Sequence, residues 1–165
     1  MSRPLVTQLH FTRSEFVRGM KGVSSEDAIK RIEPLNCLSW IAGHLAFHEQ
    51  HVWLQHGLGR VIDEDLRKLV GFGRPASTPP WDEMWALWRE INTAADKFLA
   101  NVTDATLDDQ LIQQSPRTSE NVGVSLLRNI YHYWHHVGEA HAIRQVMGHT
   151  GLPVFVGRIK EVRVK

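Results

Sequence analysis

The residues best suited to chemistry lie in Tyr131–His149, YHYWHHVGEAHAIRQVMGH. Read as a helix, this stretch stacks His132, His136 and Glu139 at i, i+4 and i+7, along one stripe. Two imidazoles one turn apart form a chelate, because neutral imidazole is a common metal ligand and HxxxH presents two ring nitrogens from one rigid element. The stripe lacks a third imidazole. A second stripe, His44, His48 and His51 in NCLSWIAGHLAFHEQHVWLQH, has the same spacing and can supply it.

The rest of the chain must position these two stripes. Its 165 residues, 42% hydrophobic and 22% charged, suit one soluble domain over 1–165 with a core of its own. With 19 basic and 18 acidic residues, none gathered into an arm, the chain is not expected to bind nucleic acid. Cys37 is the single cysteine, so an internal disulfide and a thiolate-rich metal site are both excluded, and a reducing cytoplasm is the simplest location. No apolar run approaches membrane-spanning length and no signal pattern is visible, so no membrane association is expected.

Periodicity gives four long helices. The first is Leu5–Met20, closed by Gly22; Ser24 or Ser25 then caps a short turn through Ile32. The second runs from about Asn36, its expected N-cap, to His56, and is so apolar that it must be buried, with Gly43 admitting a close neighbour. A long crossover over Gly57–Pro80 follows, with a short helix at Asp63–Val70. The third begins near Pro80 after Ser77 or Thr78 and carries a bulky face of Trp81, Trp85, Trp88, Ile91, Ala95, Phe98 and Leu99, which is compatible with a homodimer. Asp104–Glu120 reads as a loop. The fourth helix covers roughly Asn121–Met147 and stops at Gly148; from about residue 149 the tail is extended and wraps the helices. This is an all-α four-helix bundle with a long crossover between the second and third helices, and such bundles build metal sites between facing helices.

The segments NCLSWIAGHLAFHEQHVW and HYWHHVGEA resemble the DinB-like (damage-inducible) superfamily. Asn36, Trp40 and Gly43–His44–Leu45 match the pattern around the first histidine; His132, His136 and Val137–Gly138–Glu139 match the HxxxHxG segment. The resemblance implies a DinB-like four-helix bundle with a divalent metal held by His44, His132 and His136, zinc first with nickel or iron as alternatives. It further implies a metal-dependent enzyme acting on a small-molecule substrate, either a hydrolase or a thiol-dependent transferase using a low-molecular-weight thiol such as mycothiol, bacillithiol or glutathione. Three imidazoles leave coordination positions open, which is the pattern of catalytic zinc. A non-catalytic metal-binding bundle and an interaction module are the alternatives.

Around that centre, Glu139 either orients a ligand imidazole, acts as a general base, or sits in a surface ion pair. His48 and His51 read as hydrogen-bonded histidines lining a polar groove, with His48 the catalytic candidate for proton transfer. Arg128, one turn before His132, is the candidate for a thiol cofactor's carboxylate, against an ordinary solvated charge. His135 and His141 are expected to point away from the His132 stripe, as surface or interface residues, and Cys37 to be a small core residue.

Overall fold

The computed structural model describes residues 4–111, 120–154 and 156–157. Among them there are six α-helices and no strand: α1 Pro4–Met20, α2 Ser25–Ile29, α3 Leu38–Glu49, α4 Leu66–Val70, α5 Trp81–Leu99 and α6 Val122–Val146. The described chain is all-α, as expected. Its residues form two compact units, one built on α1 and α6 and the other on α2–α5.

In the first unit α1 packs against α6. Leu9, Phe16 and Met20 are buried on α1, as are Leu126, Tyr133, Ala140 and Ile143 on α6, and the Phe16 and Tyr133 rings meet edge to face at 5.9 Å. Asn121 caps α6 by accepting the Val124 N–H at 2.8 Å, which satisfies one of the amides a helix start leaves open. At the other end Gly148 takes φ 82°, the left-handed geometry that glycine supplies. Arg144, 6% exposed, donates from Nη1 to the Gly19 carbonyl and from Nε to His149 Nδ1 at 3.1 Å. His149 is therefore an acceptor for Arg144. The described part of the tail has no regular structure and is tied to α1, through Arg18 Nη2 to Val154 O at 2.7 Å and Gly157 N to Glu15 Oε2 at 2.8 Å. The Arg18 guanidinium holds the Glu15 carboxyl below its ordinary range against partial burial, and the Gly157 N–H adds to the effect.

In the second unit α3 packs on α5, α4 and α2. Every residue from Leu38 to Ala46 is buried, as expected of a helix apolar on all sides. Gly43 has the predicted close neighbour: a Cβ there would lie 2.6 Å from Met84 Sδ and 3.1 Å from Val70 Cγ1. α5 is amphipathic, with Trp81, Met84, Trp88, Ile91, Ala95 and Leu99 buried. Trp81, Trp85 and Trp88 stack in a row, and the first and last of them are consumed in packing the unit.

Several boundaries differ from the sequence reading. The N-cap of α3 is Cys37, whose sulfur accepts the Trp40 N–H at 3.4 Å; burial pushes this thiol above its ordinary range, in keeping with a core residue. The helix is α only to Glu49 and continues as a π-helix over Gln50–His56. Gln50 explains where the change falls, since its buried amide accepts from Ile62 N and Asp63 N and donates to Asp63 O, pinning the helix to the crossover. α2 ends at Ile29, with Ser24 its cap. Within the crossover, Asp63 Oδ1 accepts from Asp65 N and Leu66 N, so the helix starts at Leu66. Ser77 does not cap α5: its hydroxyl donates to Leu69 O at 2.7 Å. Of the expected loop, residues 112–119 lie outside the described residues; Asp104–Thr106 forms a 3-10 turn and Gln110 pairs with Asn121. None of the described helices is long and apolar enough to cross a membrane.

Candidate metal centre

On α6, one turn of helix sets His132 and His136 side by side, with Nε2···Nε2 at 3.0 Å and rings nearly perpendicular. His136 is 5% exposed and its Nδ1 lies 2.7 Å from Glu139 Oε2. A carboxylate only accepts, so Nδ1 carries the proton and, in the neutral ring, Nε2 carries the lone pair directed toward His132. Glu139 thus fixes the tautomer and the ring plane of His136.

The pair can be tested against a metal's requirements. Two ligand nitrogens about 2.0–2.1 Å from a tetrahedral zinc stand about 3.3 Å apart. Opening the observed 3.0 Å to that distance needs only small side-chain rotations, so the residues fit such an ion. His135 is exposed, and its ring centroid lies 4.9 Å from that of His136. One ring nitrogen from each of His135 and His136 and a Glu139 oxygen lie within 4.8 Å of one another, a group that could hold a metal ion. The sequence spacing allows this, since His135 and Glu139 are themselves i and i+4 and His135 adjoins His136.

On α3, in the second unit, His44 is 6% exposed. Its Nδ1 donates to Val70 O at 2.7 Å, and its ring stacks on Trp40 at 4.5 Å and 13°. A carbonyl also only accepts, so His44, like His136, has Nδ1 committed and Nε2 as its lone-pair nitrogen. His48 is half-buried one turn later. His51 stands in the π-helix, which breaks the strict i+7 spacing; it stacks on Phe47, and its Nδ1 meets Gln55 Oε1 at 2.9 Å. That is the hydrogen-bonded histidine anticipated for it. The His56 ring lies 4.2 Å from that of His51, and its pKa is lowered by burial and then by the charge of His51.

Arg128 is engaged elsewhere. Its side chain is more than half exposed and pairs with Glu120 through Nε at 2.7 Å and through Nη2, a partnership that raises the guanidinium's pKa. His141 is half-buried on α6 and belongs to neither histidine stripe.

A family model for the DinB superfamily matches residues 8–140, which include both histidine motifs. The chain belongs to the DinB superfamily. No curated protein matches it. Membership of the superfamily and the histidine cluster are together compatible with a metal-binding enzyme.

Proposed function

We propose that this DinB superfamily member is a divalent-metal-dependent enzyme whose metal is held by His44, His132 and His136, and that it acts on a small molecule as a hydrolase or thiol-dependent transferase. The observation that carries the reading is the shared state of His44 and His136. Both have Nδ1 tied to an oxygen acceptor, which presets Nε2 as a ligand atom. Such ordering of the ring lowers the cost of ligation and is the arrangement expected where imidazoles serve a metal.

A divalent ion so held, zinc first among the candidates, would bring a bound water's pKa toward neutrality or deprotonate a bound thiol. The chain's own residues do the remainder in this reading. Glu139 holds His136 in its ligating tautomer and is the acceptor for a proton released nearby. His48, one turn beyond His44 on α3, is the second proton carrier. Arg128 would engage a thiol's carboxylate by exchanging it for Glu120; both groups are solvent-accessible, so little stability is lost in the exchange.

The reading is tested by assaying metal-reconstituted protein for two activities. One is consumption of glutathione, mycothiol or bacillithiol with a small electrophile; the other is hydrolysis of simple esters and amides. Turnover that needs the metal and is lost in His132→Ala supports the proposal. Absence of both activities in fully loaded protein contradicts it and leaves a non-catalytic metal-binding protein.

A further inference from the structure

On the side of α6 turned away from His132, His136 and Glu139, the first unit contains a cavity of about 200 Å³. It lies between the C-terminal half of α1, the C-terminal half of α6, and Pro153, Val154 and Val156 of the tail. At about 100° per residue, Gly138, His141 and Gln145 share this side of the helix. Phe16 and Val137 contribute to walls that are mainly apolar.

Three features of the cavity point to a ligand. Gly19 and Gly138 both line it, and a Cβ at either would meet nothing within 4 Å. Gly43 and Gly57 in the other unit are different, since a Cβ there would press on Met84 or Phe98. Close packing therefore does not account for Gly138, which stands in a helix interior where alanine is favoured. Gly138 is itself exposed, so it stands at the mouth of the cavity, where the lack of a side chain keeps the entrance open. Secondly, the charges at the cavity are committed to each other. Glu15 accepts from Arg18 Nε at 2.9 Å, Arg18 Nη2 at 2.5 Å and Gly157 N at 2.8 Å, while Arg18 Nη2 also donates to Val154 O. A charged guest would find no counter-charge without breaking that network. Thirdly, His141 and Gln145, one turn apart, offer a ring nitrogen and an amide beside the apolar wall.

We infer that this cavity is a binding site for a small, uncharged, mainly apolar molecule bearing one hydroxyl or carbonyl that hydrogen-bonds to His141 or Gln145. Its size suits one substituted ring, since a cavity of about 150 Å³ accommodates benzene. The inference does not depend on the metal or on any catalytic activity.

Phenol is a suitable probe, with benzoate and benzylamine as charged counterparts of similar size. Titration of isotopically labelled full-length protein should give saturable methyl shifts at Val137 and Ala140 with phenol, and at least about tenfold weaker binding of both ions. Gly138→Leu, which puts a side chain across the mouth of the cavity, should abolish the shifts while keeping the helical circular dichroism and the metal content of the wild type. Gly138→Ala should raise the melting temperature. His141→Ala, which removes a polar partner without adding volume, should weaken phenol several-fold and so provides the test should Gly138→Leu fail to fold. The inference is overturned by absence of saturable shifts with phenol, by unchanged binding in Gly138→Leu, or by a lower melting temperature in Gly138→Ala.

Discussion

Glu139 decides which nitrogen of His136 faces His132, and this is where the proposed metal centre is most sensitive to a single atom. Replacing it by alanine removes the acceptor for Nδ1–H, and loss of such an orienting partner typically costs about 10- to 100-fold in metal affinity. Glu139→Gln keeps an acceptor oxygen at the same distance and should recover most of that loss. Competition against a chromophoric chelator would measure both; equal affinity in wild type and Glu139→Ala would show that the 2.7 Å contact does not serve ligation. Glu15 is the residue whose ionisation matters most to the tail. Because Arg18 depresses its folded-state pKa below the unfolded value near 4.5, it contributes stability that is complete above that value and is lost as pH falls through the lower folded one. Glu15→Gln should therefore melt at a lower temperature than wild type at neutral pH, with the difference shrinking on acidification below about pH 4.5. A difference independent of pH would contradict this assignment.

At the scale of elements, what could be read from the sequence followed the strength of the local signal. Asn121 ahead of an amphipathic run and Gly148 after it bounded α6 to within a residue, because cap chemistry and the left-handed glycine are local. Asn121→Ala should destabilise the protein by about 1 kcal/mol in denaturant unfolding. The burial of α3 was legible from its unbroken apolar composition, and Gly43 from the need for a close neighbour. Gly43→Leu should cost about 1–3 kcal/mol, since Met84 and Val70 must both give way; an unchanged unfolding midpoint would mean that the α3–α5 contact is loose. The π-helix at Gln50–His56 was not legible. It depends on the Gln50 amide reaching Ile62 and Asp63 across the crossover, a long-range bond that no helical period encodes. The same applies to Ser77, which bonds to Leu69 rather than capping α5. His135 is exposed, as its place off the His132 stripe implies, but helical spacing does not tell that it, His136 and Glu139 have ligand atoms within 4.8 Å of one another, because that depends on side-chain rotamers.

For the molecule as a whole, two short motifs and the order of the long helices sufficed to place the chain in the DinB superfamily. The histidines could be listed from spacing alone, but their chemical state could not. The Nδ1 partners of His44 and His136, Val70 O and Glu139, come respectively from a distant turn and from a side chain with other available roles. The cavity beside Gly138 was likewise invisible, because the motif glycine reads the same whether it makes room for a helix or for a ligand. The two sites make separable demands on one helix: His141→Ala should impair phenol binding and leave metal affinity unchanged, whereas His132→Ala should do the reverse.

The central claim is that His44, His132 and His136 together hold a divalent ion. Its most direct test is elemental analysis of untagged protein purified without chelators, comparing wild type with His44→Ala and His136→Ala and checking each variant's fold by circular dichroism. Near-stoichiometric metal is expected in the wild type and is expected to be lost from both folded variants. A wild type that carries no metal and takes up none on titration, or a His44→Ala protein that retains it in full, would rule out a divalent ion held jointly by these three histidines.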